Sequence, residues 1–102
     1  MNPTVVALPT LEELFHFVHE KLCQQDALDP SQTPLIRTPL MRRRRPCGLL
    51  FQVEGPRLLR TAAIWAAEQN RLLFYDSTGQ RFDEVRLSES PELRLSNNRS
   101  VA

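Results

Sequence analysis

The N-terminal part of the chain carries a clear helical pattern. Apolar residues recur at intervals of three and four, which places them on one helix face: Leu11, Leu14, Phe15, Val18 and Leu22. Thr10, followed three residues later by Glu13, is the signature of a capping box at a helix start. Pro30 disfavours helical geometry in the residue before it. We therefore predict an amphipathic helix over residues 10–28, preceded by an N-terminal arm over residues 1–9.

The next segment, residues 29–46, follows neither a helical nor a strand period. Its prolines at positions 34, 39 and 46 disfavour helix at each preceding residue. Its apolar pairs, Leu35–Ile36 and Leu40–Met41, are expected to contact the core between exposed turns. The pattern predicts an irregular connection rich in proline and arginine.

From residue 47 onward the pattern becomes that of strands. Four apolar or alternating segments, CGLLFQVE, RLLRTAAIWAAE, RLLFYDS and QRFDEVRL, are separated by turn-forming residues. The alanine-rich second segment would also suit a helix. A strand is favoured because its neighbours are strand-like and because Asn70 readily supplies the positive φ of a tight hairpin. We predict a four-stranded antiparallel meander over residues 47–88.

The predicted fold is α+β, with one N-terminal amphipathic helix packed on this meander in a single domain over residues 10–88. The polar tail, residues 89–102, is predicted to be disordered. A two-residue turn at Gln69 and Asn70 would place aromatic and aliphatic side chains in cross-strand pairs, namely Trp65 with Phe74 and Ile64 with Tyr75.

The middle strands are apolar on both faces, whereas one helix can cover only one face of a sheet. The other face must be covered by the segment 31–46, by the first residues of the chain (Val5, Val6 and Leu8) or by another subunit. An uncovered apolar face usually marks an interface. We therefore expect a homo-oligomer or another protein partner. The candidate interface residues are Trp65, Phe74, Ile64 and Tyr75.

Composition supports a globular protein, with 41% hydrophobic and 25% charged residues. No stretch reaches the roughly 18 apolar residues that a membrane-spanning helix needs. The N-terminus lacks the pattern of a secretory signal, and two cysteines are too few for a disulfide framework. We expect a cytoplasmic protein without a membrane partner.

A net charge of +1 hides a basic middle segment, since residues 37–60 hold seven arginines and one glutamate. Arg42–Arg45 are candidate anion-binding residues. Because Pro46 favours extended backbone at Arg45, the run is expected to point alternate side chains to opposite sides. No aromatic residue interleaves with the run to stack on bases. Solvated arginines, or arginines paired with the acidic helix, are therefore favoured over nucleic-acid binding, which would be weak.

Cys47 follows the arginine run and has two interpretations. Nearby positive charge would favour a reactive thiolate, whereas free cysteines are most often small buried residues. The second interpretation is favoured, since the positions expected of a phosphatase or Cys-x-x-Cys motif hold other residues.

Other chemistry is weakly represented in the sequence. His16, His19, Glu20 and Cys23 have helical i, i+4 spacing, but a complete set of four zinc ligands is not evident. The glycines form no phosphate-cradling loop, and the turn acids Asp76, Asp83 and Glu84 have no visible base or nucleophile beside them. We expect no metal, no cofactor, no small-molecule substrate and no enzymatic activity.

The expected function is that of a small non-catalytic interaction module that self-associates through an apolar sheet face or edge. The alternative is an accessory binder of nucleic acid or another polyanion, using Arg42–Arg45.

Overall fold

A computed structural model describes residues 4–56 and 59–92 of the chain. Within these residues the elements follow one another in the order β1 (Thr4–Ala7), α1 (Leu11–Gln25), β2 (Ile36–Arg42), β3 (Arg45–Glu54), β4 (Arg60–Ala66), a short 3-10 helix (Ala67–Gln69), β5 (Arg71–Tyr75) and β6 (Arg81–Glu89). Most of the predicted tail, residues 93–102, lies outside the described residues.

The strands form one six-stranded sheet in the order β1-β6-β5-β4-β3-β2. Neighbouring strands are antiparallel, except that β1 runs parallel to β6. The predicted α+β class and the meander from β3 to β6 are thus confirmed, but the sheet has six strands and not four.

The two additional strands come from segments predicted to be an arm and an irregular connection. β1 is only four residues long and pairs with the last strand of the chain, so local periodicity does not reveal it. β2 contains Pro39, which an edge strand tolerates because its outer side needs no N–H donor. Proline residues that disfavour a helix are therefore still compatible with an edge strand.

The helix begins with the predicted capping box. The Glu13 backbone N–H donates to the Thr10 hydroxyl at 3.1 Å, and the Thr10 N–H donates to the Glu13 carboxylate at 3.2 Å. These two bonds satisfy N–H groups that a helix start otherwise leaves without partners. The capping-box prediction is confirmed.

The helix ends three residues earlier than predicted, at a left-handed turn. Ala27 has φ 54°, and the Leu28 N–H donates back to the Cys23 carbonyl at 2.7 Å. This arrangement is a Schellman motif, in which glycine is usual and alanine is strained. Just before it, Asp26 accepts a hydrogen bond from the buried hydroxyl of Thr61 on β4, which ties the helix end to the sheet.

The core lies between α1 and one face of the sheet. Leu14, Val18 and Leu22 are fully buried on the inner side of the helix. The sheet side of the core is made by alternate residues of β3 to β6: Leu49, Phe51, Val53, Ala63, Trp65, Leu72, Phe74, Val85 and Leu87. Each fully buried large side chain contributes about 1.5–3 kcal/mol relative to exposure, so this layer dominates the stability of the fold.

The alanine-rich stretch around Trp65 is a strand, as predicted, but its register differs from the prediction. Trp65 pairs with Leu72, and Phe74 pairs with Ala63. The connection is a 3-10 helix followed by Asn70 rather than a two-residue turn, which moves the register by two positions. Asn70 has φ 52°, so its predicted positive φ is confirmed.

Gly48 occupies a point where two strands approach very closely. A Cβ atom added there would lie 2.0 Å from the carbonyl oxygen of Trp65. No side chain fits at that distance, so β3 and β4 can keep this approach only with glycine at position 48.

We expect Gly48→Ala to lower the free energy of unfolding by about 2–3 kcal/mol, because the backbone of β3 must move away from β4. Urea denaturation measures this change. Gly55→Ala is the matched control, since its added Cβ would be 3.6 Å from the nearest atom. The control should change stability by less than about 0.5 kcal/mol. Equal stability of the two variants would contradict the close approach.

Candidate functional site

The face of the sheet opposite α1 is a candidate interaction surface, which we call the open face. Within the described ranges no helix lies over it. Its centre is a row of apolar side chains on three adjacent strands, where Leu50 on β3 pairs with Ile64 on β4, and Ile64 with Leu73 on β5. Leu50 and Ile64 are half-buried and Leu73 is buried, and no helix of the described residues lies over this row.

Polar residues stand at both ends of this apolar row. Thr38 on β2 pairs with Leu50, and Glu84 on β6 pairs with Leu73. Glu84 accepts a hydrogen bond at 2.8 Å from Arg71, which lies on the same face. An apolar centre with a polar rim is the usual anatomy of a protein interface.

The structure divides the four predicted interface residues between the two faces. Ile64 and Tyr75 lie half-buried on the open face. Trp65 and Phe74 are fully buried beneath the helix. Their assignment to an interface is therefore corrected: alternate strand residues point to opposite faces, and α1 covers the face that holds these two aromatic rings.

The second candidate site is the β2–β3 hairpin, which carries the whole arginine run. Arg42 pairs with Arg45 at the ends of the two strands. Arg43 and Arg44 form the two-residue turn, with φ 52° and 69°. Such a turn normally holds Asn-Gly, because both residues need a positive φ. A left-handed conformation costs a residue with a Cβ about 1–2 kcal/mol, so the hairpin is strained at its tip.

A β-bulge follows directly after this turn. Leu40 pairs with Gly48 whereas Met41 pairs with Pro46, so Cys47 is the extra residue in β3. Bulges redirect side chains and are frequent beside functional sites. Cys47 is consequently half-exposed rather than buried, which corrects the favoured prediction for this residue.

The turn and the bulge bring three of the four arginines to one concave site, which we call the arginine groove. Arg42, Arg43, Arg45, Pro46, Cys47 and Glu68 line it, and its volume is about 410 Å³. The expectation that an extended run would separate these side chains is therefore wrong. It assumed an uninterrupted strand, whereas the chain reverses direction within the run.

Few negative charges compensate the arginine groove. Arg42 Nη1 lies 3.7 Å from a carboxylate oxygen of Glu68. Arg43, Arg44 and Arg45 make no ion pair with any residue in the described ranges, and none of the run pairs with the acids of α1. The predicted pairing with the acidic helix is thus wrong, and the groove carries uncompensated positive charge.

The three turn acids make hydrogen bonds and ion pairs with neighbouring residues. Asp76 accepts hydrogen bonds from the Thr78 hydroxyl at 2.6 Å and from the Gln80 backbone N–H at 3.0 Å, and these bonds hold the pKa of Asp76 below its usual range. Asp83 forms an ion pair with Lys21 of α1 at 2.6 Å. Together with the Arg71 contact of Glu84, these bonds order the β5–β6 hairpin and join it to the helix.

The helical histidines do not converge on a common point. His16 lies 3.4 Å from Glu20, and His19 Nε2 donates to the carbonyl oxygen of Thr33 at 2.6 Å. The part of the chain that the structure describes contains no group of three His, Cys, Asp or Glu side chains placed to hold a metal ion.

The two cysteines differ sharply in environment. Cys23 is fully buried in the core, and burial, together with the nearby carboxylates of Asp29 and Asp26, raises the pKa of its thiol. Cys47 reaches the arginine groove. A thiol reagent in solution should therefore react with Cys47 alone while the protein is folded.

Replacing Arg43-Arg44 by Asn-Gly should raise the free energy of unfolding by about 1–2 kcal/mol, because both residues accept the left-handed turn. Urea denaturation measures the effect. Replacing the same pair by Gln-Gln is the control, since it removes both charges but keeps the unfavourable backbone. Equal stabilisation by Gln-Gln would mean that charge repulsion, and not the backbone, limits the stability of this hairpin.

Comparison of the chain with protein-family models, with curated proteins and with solved structures finds no match. Among the described residues, no helix combines the length and the apolar character needed to cross a membrane. The open face and the arginine groove are therefore the features from which function is inferred.

Proposed function

We propose that the protein is a small non-catalytic interaction module that forms a homodimer by packing its open face against the same face of a second copy. The observation that carries this proposal is the apolar row Leu50, Ile64 and Leu73, which crosses the centre of a sheet face over which no helix of the described residues lies. Contact between two such faces removes this apolar surface from water, which is the main favourable term in protein association.

The face is a better interface than either edge of the sheet. The β2 edge contains Pro39, which has no N–H to donate to an incoming strand. The β1 edge is only four residues long. Addition of a strand at either edge would therefore form few main-chain hydrogen bonds, whereas contact through the face needs none.

A second copy suits the open face in shape and in charge. Sheets that pack face to face need a matching twist and side chains that interdigitate, and an identical face provides both. The rim also carries both signs of charge. Glu54 lies 3.5 Å from Arg60, and Glu84 lies 2.8 Å from Arg71. Each carboxylate can thus face an arginine of the other copy across a two-fold axis.

Binding of nucleic acid through Arg42–Arg45 is the less favoured function. None of the residues lining the arginine groove is aromatic, so bases have no stacking platform there. Four arginines acting on phosphates alone would give weak binding that salt readily reverses.

Ile64→Glu should convert the dimer into a monomer, because a carboxylate at the centre of an apolar contact loses its hydration without gaining a partner. We expect association to weaken by more than about thirtyfold, as for a central interface residue. Sedimentation over a wide range of protein concentration measures this change, and circular dichroism checks that the fold is kept.

Leu59→Glu is the matched control, since Leu59 is an exposed apolar residue outside the open face, in the loop before β4. This variant should associate like the wild type. A wild-type protein that stays monomeric at every concentration, or equal losses in the two variants, would overturn the proposed dimer.

A further inference from the structure

We infer that the arginine groove is a binding site for a diphosphate or triphosphate group. This inference does not depend on the proposed dimer, although the groove lies beside the open face. Its evidence is that three arginine residues, Arg42, Arg43 and Arg45, line one concavity.

The charges of the groove favour a multivalent anion. The residues that line the groove include three arginines and a single acidic residue, Glu68. The contact between Arg42 and Glu68 is long, at 3.7 Å, and their side chains are 69% and 70% exposed, so it holds Arg42 only loosely. An incoming phosphate can therefore replace Glu68 as the partner of Arg42. Guanidinium groups bind phosphate oxygens through paired N–H donors, which makes arginine suited to this ligand.

The size and lining of the groove narrow the ligand class. A volume of about 410 Å³ falls within the range of small-ligand sites. The lining has no aromatic ring on which a base could stack. Recognition is therefore directed at the phosphate group itself. Three guanidinium groups exceed what a single phosphate requires, so linked phosphates fit the groove better. The group can belong to an inorganic polyphosphate or to the phosphate tail of a nucleotide.

A comparison of Arg43 with Arg44 distinguishes binding in the groove from general attraction by positive charge. Arg44 belongs to the same run and to the same two-residue turn, yet it does not line the groove. Arg43 and Arg44 both have a positive φ, so glycine fits either position. The two positions therefore differ in access to the groove while they match in charge and in backbone conformation.

The first experiment is calorimetric titration of the full chain with inorganic tripolyphosphate at low salt, followed by AMP, ADP and ATP. We expect tripolyphosphate, ADP and ATP to bind with similar affinity and AMP to bind about tenfold more weakly, because AMP lacks the second phosphate. Binding of ATP without binding of tripolyphosphate would assign recognition to the nucleoside and overturn the inference. So would the absence of binding by all four compounds.

The second experiment compares Arg43→Gly with Arg44→Gly. Each variant removes one positive charge and one strained backbone position, so both should fold at least as stably as the wild type. Arg43→Gly should weaken tripolyphosphate binding about tenfold, whereas Arg44→Gly should change it less than about twofold. Equal losses would mean that net charge alone attracts the anion, and the assigned groove would be wrong.

The reactivity of Cys47 provides an independent test of where the anion binds, because Cys47 lines the groove while Cys23 is fully buried. Bound tripolyphosphate should slow the reaction of Cys47 with a thiol reagent that carries two carboxylates. The same concentration should have less effect on Arg43→Gly. If calorimetry detects binding but the reaction rate does not change, the anion binds elsewhere and the inference fails.

The last experiment titrates the protein with a short single-stranded oligonucleotide. It should bind more weakly than tripolyphosphate, since bases find no stacking surface in the groove. Tighter binding of the oligonucleotide, with equal losses in Arg43→Gly and Arg44→Gly, would assign the whole arginine run to nucleic acid and overturn the phosphate site.

Discussion

The packing of one amphipathic helix against one side of a six-stranded sheet is the interaction on which the rest of this structure depends. It places Trp65, Phe51 and Phe74 in a water-free layer between α1 and the sheet. The same packing leaves the other face of the central strands with apolar side chains and no covering layer in the described ranges. Stability and the proposed function thus arise from opposite faces of the same strands, because alternate residues of a strand point in opposite directions.

The tip of the β2–β3 hairpin places two consecutive residues with Cβ atoms in the left-handed region. At the other described positions with positive φ, Asn70 before β5 and Gly79 between β5 and β6 are favourable residues, whereas Ala27 after α1 is not. At the tip of the hairpin, Arg43 and Arg44 adopt this conformation despite their Cβ atoms. An unfavourable backbone conformation of this kind is expected mainly at functional sites, where the identity of the side chain matters more than the cost of backbone strain. Arg43 lines the arginine groove, so its strained backbone supports the proposed phosphate site.

The two candidate sites meet on the surface of the molecule. Arg42 and Cys47 line not only the arginine groove but also a smaller cavity shared with Leu40 and Ile64 of the open face. The apolar row and the cationic groove are therefore neighbours at the β2–β3 end of the sheet. Gly48 lies between them, where its lack of a Cβ allows β3 to approach β4 closely.

Local patterns in the sequence were sufficient for several features. The apolar spacing and the Thr10–Glu13 capping box predicted the helix, and alternation predicted the strands of the meander from Cys47 onward. The sequence also predicted that the strands are apolar on both faces while one helix can cover only one of them, because alternate strand residues can be assigned to a face by counting. These features depend on interactions between residues a few positions apart, which sequence periodicity records directly.

Only the tertiary structure decided the rest. The parallel pairing of β1 with β6 joins distant parts of the chain, and no local period marks it. The register of β4 and β5 depended on a 3-10 helix in place of a short turn. The convergence of three arginines required a chain reversal within the run and a bulge at Cys47, both stabilised by pairing of the flanking strands. Sequence spacing determines which residues can share a face of one element, whereas the pairing of elements determines which faces meet.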